Sequence, residues 1–166
     1  MKHASARSIA IMLLTLPGLA WVAGCRRTEQ PPDLQKQIGR LHGDSTEEIY
    51  TALRNLQSLT LQAAPAVPDL RTLLQSTKDS DMQAEIAKTL GLIGPQAAEA
   101  IPDLVAMLGQ KEMWPRYCAV EALGRMGPAG AAVLPKITPL TRDKDRDVAA
   151  AAIDAVRRLQ RSVPKR

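Results

Sequence analysis

Residues 90–95 are Leu-Gly-Leu-Ile-Gly-Pro, and the pattern returns 33 residues later as Leu-Gly-Arg-Met-Gly-Pro at residues 123–128. Each copy is followed, at the same distance, by an aliphatic-Pro-x-aliphatic segment. A third copy lies 34 residues upstream, where Leu56 precedes Pro68 by 12 residues, the spacing found in the other two copies. Self-similarity at this period predicts stacked helical hairpins, each of which buries its apolar face against the next.

The apolar residues between these markers predict an alternation of shorter and longer helices, because spacings of three and four place side chains on one helix face. The longer helices centre on Leu56, Leu90, Leu123 and Val156. The residues three and four positions before each centre are apolar in all four copies. The residue seven positions before varies, being Ile49, Gln83, Arg116 and Ala149. We therefore expect the start of each long helix to lie near solvent.

The helix boundaries have their own residue signals. Ser45 with Glu48, and Ser80 with Gln83, have the spacing of a capping box, and Asp145 is a predicted N-cap of the fourth long helix. The two Gly-Pro pairs predict helix ends, because glycine accepts the cap conformation and proline prevents continuation. The prolines of the aliphatic-Pro segments are expected in first helical turns, where no intrahelical hydrogen bond is lost; they are Pro68, Pro102 and Pro135.

The first 24 residues have the layout of a secretory signal, with basic residues before an apolar run that spans residues 9–22. The run ends in Val-Ala-Gly-Cys, which resembles the lipobox of bacterial lipoproteins, and Cys25 is the predicted lipidation site. We expect a signal peptide (1–24), the lipidated cysteine with a tether (25–32), a repeat domain (33–162) and a short tail (163–166). An ordinary signal peptide or an uncleaved anchor is the alternative.

Composition and charge restrict the function further. The 166 residues include no Phe and only two Tyr and two Trp, so a large aromatic-lined pocket is not expected. Removal of the signal would leave 20 basic and 17 acidic residues, since Lys2 and Arg7 account for two of the 22. This small excess, together with export, argues against nucleic acid as a partner. Lipidation would leave Cys118 as the one free cysteine, which excludes an intrachain disulfide.

Units of about 33 residues with Ala-x-x-Ala-Leu-Gly before Gly-Pro resemble HEAT repeats, most closely at residues 119–127 and then at 84–94. The likeness is greatest to the short bacterial units that also occur in phycobilin lyases. It covers residues 33–160 as four hairpins, of which the first and last are degenerate, in keeping with terminal capping units. The resemblance implies an all-α solenoid, a right-handed superhelix that offers its surface to a protein or peptide.

Catalytic, metal and cofactor sites find little support in the sequence. His42 stands alone and is expected at the surface, without the paired His-Glu motifs of HEAT-type hydroxylases. Residues 143–147 imitate the start of a calcium-binding loop, but Val148 occupies the place of the glycine that the loop needs, so a solvated turn is expected. Cys118 has no histidine nearby in sequence to activate it, and Glu121 would raise its pKa; we expect it to be partly exposed and unreactive.

Aromatic residues provide the one candidate binding site. Tyr50 and Tyr117 occupy the same repeat position two units apart, and Trp114 lies just before Tyr117. Aromatic side chains are enriched as interface anchors, so a partner surface along the long helices is predicted at these three residues. Packing between adjacent hairpins is the alternative role.

The C-terminal end of the chain is basic. Its side chains could contact anionic lipid, or they could be stabilised by the dipole at the C-terminus of the last helix. The residues are Arg157, Arg158, Arg161, Lys165 and Arg166.

The sequence therefore predicts a noncatalytic interaction or scaffolding protein, anchored by lipid at the bacterial cell envelope and facing the periplasm. Arg26, which follows the cysteine, favours the outer membrane by resemblance to known sorting signals. Two alternatives stay open: a small enzyme or enzyme subunit of the phycobilin-lyase type, and binding of an envelope polymer or anionic lipid through the basic end. The partner is expected to be a protein or peptide, and the oligomeric state is left open.

Overall fold

The computed structural model describes residues 33–162, which contain helices and no strand. The α-helices are α1 (Leu34–Arg40), α2 (Thr46–Leu59), α3 (Val67–Ser76), α4 (Ser80–Ile93), α5 (Ile101–Met107), α6 (Met113–Arg125), α7 (Pro128–Ala131), α8 (Leu134–Ile137) and α9 (Arg146–Ser162). Short 3-10 helices span Thr60–Ala66, Gly94–Ala100 and Thr138–Arg142. The predicted signal peptide, tether and tail lie outside the described residues.

The helices form four hairpins, and each hairpin joins a shorter helix to a longer one. The pairs are α1 with α2, α3 with α4, α5 with α6, and α8 with α9. The long helices pack in chain order, α2 on α4, α4 on α6 and α6 on α9. This arrangement confirms the predicted all-α solenoid of four hairpins.

The core follows the predicted stripes of the long helices. Leu56, Leu90 and Leu123 are completely buried, as is the apolar residue four positions before each of them: Ala52, Ile86 and Ala119. The fourth copy differs, because Val156 is only partly buried and Ile153 is 39% exposed. Within residues 33–162 no helix follows α9, so the outer side of this last helix has no cover.

The proline and glycine markers lie where the sequence predicts them. Pro68, Pro102 and Pro135 lie in the first turns of α3, α5 and α8. Gly94 is the C-cap of α4, and Gly127 follows the C-cap of α6 and precedes α7; their φ values are +72° and +60°, a region that favours glycine. In the first copy Thr60 holds the same place with φ of +48°. A β-branched residue in this region is strained, so the first hairpin makes its turn at a conformational cost.

Two of the predicted caps are wrong in detail. Ser45 precedes α2 but makes no side-chain capping hydrogen bond. Asp79 rather than Ser80 caps α4, because its carboxylate accepts from the backbone N–H groups of Asp81 and Met82. Asp145 directly precedes α9 as predicted, yet its carboxylate also accepts from the guanidinium of Arg116.

The prediction that the start of each long helix lies near solvent is wrong for Arg116, which is 4% exposed. Its guanidinium donates to both carboxylate oxygens of Asp143, at 3.0 and 3.2 Å, and to the carbonyls of Gln110, Lys111 and Glu112. One side chain thereby ties the loop before α6 to the loop before α9. In the turn at residues 143–147, Asp143 is accordingly held against Arg116, whereas Lys144, Arg146 and Asp147 are exposed, as the predicted solvated turn requires.

This ion pair sets the charge state of Asp143. Burial by itself would raise the pKa of the Asp143 carboxyl, but the hydrogen bond and positive charge of Arg116 outweigh burial and hold that pKa below its ordinary value. The same pairing raises the pKa of Arg116. Both groups therefore stay charged and paired at neutral pH.

Small residues determine how closely the long helices approach. A Cβ added to Gly91 of α4 would lie 2.8 Å from the Ala122 Cα of α6, and one added to Gly124 would lie 2.7 Å from the Ala155 Cβ of α9. The same repeat position in α2 is Gln57, whose amide donates to Glu85 at 2.8 Å and to Thr89 at 3.2 Å. Two interfaces thus rest on direct backbone approach and the first on a polar bridge.

Candidate functional site

An aromatic pair stands at the start of α6. Trp114 and Tyr117 are three residues apart, so they lie on the same face of the helix. Their rings stack with centroids 5.3 Å apart and an interplanar angle of 4°. Trp114 is 44% exposed, one of the few large apolar side chains in residues 33–162 that face solvent to this extent. The sequence prediction thus identified two residues that the fold brings into contact.

Tyr50, the third predicted residue, occupies on α2 the repeat position that Tyr117 holds on α6, and it does not line the grooves that flank the aromatic pair. It is partly buried against the core. Its pKa is raised by burial and then by the negative charges of Asp79, Asp81 and Glu85, which places it beside the start of α4. The structure therefore keeps Tyr50 on the long-helix face but separates it from the aromatic pair.

A groove of about 280 Å³ runs between α4 and α6, on one side of the aromatic pair. Gly91 and Ala122 are among its small lining residues, and Leu92 adds apolar surface. Charges of both signs line it, from Lys88, Glu121 and Arg125. We call it the α4–α6 groove.

A second groove of about 340 Å³ lies between α6 and α9, on the other side of the pair. Trp114 and Tyr117 line it together with the carboxylates of Glu121, Asp147 and Asp154, and no lysine or arginine is among its lining residues. We call it the α6–α9 groove. The stacked rings thus separate a groove of mixed charge from an acidic one.

Neighbouring arginines pair with two of the three carboxylates. Glu121, only 19% exposed, accepts from Arg125 at 3.1 Å and from Arg158 at 3.3 Å. Asp154 and Arg157 are 3.5 Å apart, and both side chains are mostly exposed. No ion pair joins Asp147 to another residue of the described range 33–162. The basic C-terminal end is thus partly engaged by these carboxylates, while Lys165 and Arg166 lie outside the described residues.

Cys118 lines the α4–α6 groove, but the expectation of partial exposure is wrong, since the residue is 4% exposed. Burial, followed by the negative charge of Glu85, raises the pKa of its thiol to about 12; Glu121 adds to the shift, as the sequence predicts. The thiol is therefore protonated at neutral pH and lacks the thiolate character that a nucleophile needs.

His42 lies at the surface as predicted, with 56% of its side chain exposed. Its Nε2 is 2.7 Å from Asp69 Oδ1, a contact across the first two hairpins that the sequence did not predict. Among residues 33–162 no three His, Cys, Asp or Glu side chains are grouped to hold a metal ion. The oxygens of Asp143 and Asp145 bind Arg116 instead.

The predicted lipidation site, Cys25, lies outside the described residues, so the fold neither supports nor opposes it. Of the helices between residues 33 and 162, none is long and apolar enough to cross a membrane. The lipid anchor and the signal peptide stay predictions of the sequence.

Comparisons with known proteins agree with this architecture. The sequence model of a family described as HEAT repeats matches residues 67–157, more than half of the chain. The protein belongs to the HEAT-repeat family, whose members commonly bind other proteins. A crystal structure of an engineered protein from the Northeast Structural Genomics Consortium is similar in fold, with a TM-score of 0.65 and 20% identity. The match covers 78% of this chain and 63% of the engineered one. No curated protein matches the chain.

The sequence prediction missed the acidic groove. Its signal is present in the repeat register, because Asp147 and Asp154 stand 33 residues after Trp114 and Glu121. Residues at one repeat position on neighbouring long helices lie side by side on the solenoid. Alignment of the repeats by position would therefore have placed both aspartates beside the aromatic pair.

Proposed function

We propose that this protein is a noncatalytic binding or scaffolding module, held at the bacterial cell envelope by a lipid on Cys25. The observation that supports binding is the exposed Trp114–Tyr117 stack between two open grooves. Exposed aromatic residues on a rigid helical surface are typical anchors for a protein partner. The lipobox-like residues before Cys25 support the anchor, and Arg26 favours the outer membrane.

The close packing around the aromatic pair suits this function. Trp114 and Tyr117 hold each other in one orientation, and Gly91 and Gly124 bring the flanking helices against α6. A partner that contacts the pair would therefore order few side chains on this protein, which lowers the entropic cost of association. The thiol of Cys118, protonated at neutral pH, gives the enzyme alternative no support.

The anchor is tested by metabolic labelling with palmitate and membrane fractionation of the full chain expressed in a bacterium. The wild-type chain should incorporate label and sediment with membranes, because each buried methylene of an acyl chain contributes about 0.8 kcal/mol to the free energy of membrane binding. Cys25→Ser should lose the label, whether or not its apolar run of residues 9–22 still holds the chain at the membrane. A wild-type chain without label, or a Cys25→Ser chain that keeps the label, would indicate that Cys25 does not carry the lipid.

The binding surface is tested by chemical cross-linking in intact cells, followed by affinity capture of the full chain. Trp114→Ala and Tyr117→Ala should each reduce the cross-linked product by about tenfold, because truncation of an anchor residue at an interface weakens binding by about that factor. Leu61→Ala is the matched control, because Leu61 is 55% exposed and lines neither groove. Equal products from all variants with unchanged far-UV circular dichroism would rule out this surface.

A further inference from the structure

The α6–α9 groove combines two features with different origins. The stacked aromatic pair of α6 forms part of its lining, and the carboxylates of Asp147 and Asp154 come from α9. Aromatic rings attract cations, and arginine in particular stacks on ring faces while its planar guanidinium donates to carboxylates. A groove with both features matches a guanidinium group better than it matches an acidic or purely apolar side chain.

The ion pairs around the groove leave negative charge available to a ligand. Arg125 and Arg158 hold Glu121, which is mostly buried. The Asp154–Arg157 pair is exposed and long, so it is weak and a ligand can replace it. Asp147 has no ion-pair partner within the described part of the chain. The positive side chains therefore lie around the groove, while none lines it.

We infer that the α6–α9 groove binds an arginine side chain of the protein partner. An outer face of the stacked Trp114–Tyr117 pair would contact the guanidinium plane and Asp147 would accept its hydrogen bonds, while Asp154, two helical turns further along α9, would add negative charge. This assignment rests on the proposed function and adds to it the chemistry of the partner, an arginine-containing peptide segment. The α4–α6 groove is lined by Lys88 and Arg125 as well as by the carboxylate of Glu121, so it would repel a second arginine. It would therefore bind a less charged part of the same segment.

The repeat supplies a matched control for the charge. Asp81 holds on α4 the repeat position that Asp147 holds on α9, and it does not line the groove. Asp81→Asn therefore removes the same charge from the same register of a long helix. A ligand attracted only by the overall field of the protein would respond equally to the loss of either aspartate.

The experiment uses the full chain with Trp21→Phe in nonionic detergent, so that Trp114 is its one tryptophan. The probes are a synthetic peptide of Gly, Ser and Arg residues and the same peptide with neutral citrulline in place of each Arg. We expect the arginine peptide to change Trp114 fluorescence saturably and the citrulline peptide to need about tenfold higher concentration. Asp147→Asn should weaken binding of the arginine peptide about fivefold, and Asp81→Asn should leave it within about twofold.

Equal binding of the two peptides, no saturable change with the arginine peptide, or equal effects of Asp147→Asn and Asp81→Asn would overturn the arginine assignment. None of these results would touch the proposed function if cross-linking in cells still depends on Trp114. Loss of that dependence would instead remove the binding surface itself, so the two failures are distinguishable.

Discussion

The interface between α2 and α4 differs from that between α4 and α6, although the repeat places equivalent residues at both. In the first, Gln57 reaches Thr89 and Glu85 through hydrogen bonds. In the second, Gly91 lets α6 approach until Ala122 contacts the α4 backbone. The third interface, at Gly124 and Ala155, repeats the second.

This difference divides the array into two parts that share one repeat. The N-terminal part has a polar bridge, a strained turn at Thr60 and the separate Tyr50. The C-terminal part has glycine contacts, the buried Arg116 and the stacked aromatic pair with its two grooves. Tight packing and the candidate binding surface therefore coincide in the C-terminal part of the array.

The largest expected effect concerns Arg116. Arg116→Met should lower the free energy of unfolding by about 4 kcal/mol, because it leaves the buried Asp143 carboxylate without a counter-charge. Gln83→Met changes the equivalent repeat position, where the side chain hydrogen-bonds only to Thr77 and Gln110, and should cost about 1 kcal/mol. Urea denaturation of both full-length variants measures the difference. Similar losses would show that the C-terminal part gains no special stability from Arg116.

Gly91 tests the close approach of the helices. Gly91→Val should destabilise the protein by about 3 kcal/mol, since even a Cβ would overlap the Ala122 backbone. Gln57→Val, at the same repeat position in α2, should cost about 1 kcal/mol through its lost hydrogen bonds. Gly39→Val is a control in α1, where an added Cβ meets nothing within 4 Å. Equal costs at positions 57 and 91, measured by denaturant unfolding, would remove the distinction between the interfaces.

The pH dependence of stability follows from Asp143. Its pKa in the folded chain is lower than its ordinary value of 3.8, so the stabilisation by its ion pair is complete above that value and lost as pH falls below it. The wild-type chain should therefore lose about 1 to 2 kcal/mol more than Arg116→Met between about pH 6 and pH 3. Unfolding curves at the two pH values measure this. Equal losses of unfolding free energy in the wild-type chain and in Arg116→Met would show that the Arg116–Asp143 ion pair does not cause this pH dependence.

The smallest effect concerns the strained turn of the N-terminal part. Thr60→Gly should stabilise the protein by about 1 kcal/mol, because glycine accepts the positive φ without strain. The reverse change at the equivalent turn, Gly94→Thr, should destabilise it by about 1 to 2 kcal/mol. Thermal unfolding of both variants provides the comparison. Destabilisation by Thr60→Gly would show that the threonine side chain has a role that outweighs its conformation.

The sequence predicted the repeat architecture because period, prolines and glycines are local signals. The hairpins, the first-turn prolines and the buried leucines all appear where these signals place them. The burial of Arg116 could not be predicted from its own helix, since its partner Asp143 lies 27 residues away on another loop. Cys118 was misjudged for a related reason: its alignment with polar residues suggested exposure, whereas its burial depends on the neighbours that the tertiary fold supplies.

The candidate site was predicted in part. Three-residue spacing on one helix was enough to associate Trp114 with Tyr117, but repeat equivalence alone suggested that Tyr50 would join them. Equivalent residues share a face without sharing a groove, because Ala84 stands between them on α4. The acidic groove depends on the distance between α6 and α9, which follows from the contact of Gly124 with Ala155 and not from composition.

We expect the tightly packed C-terminal part to be the part that binds the partner. The measurement is site-specific photo-cross-linking in cells, with benzoylphenylalanine placed at residue 150 or at residue 50 of the full chain. Ala150 is exposed, lines the α6–α9 groove and holds the repeat position of Tyr50, so the probe leaves Trp114 and Tyr117 in place. We expect a discrete cross-linked product from position 150 and at most about one tenth as much from position 50, the yield lost when an anchor contact is absent. Equal products from the two positions, or a product from position 50 alone, would contradict it.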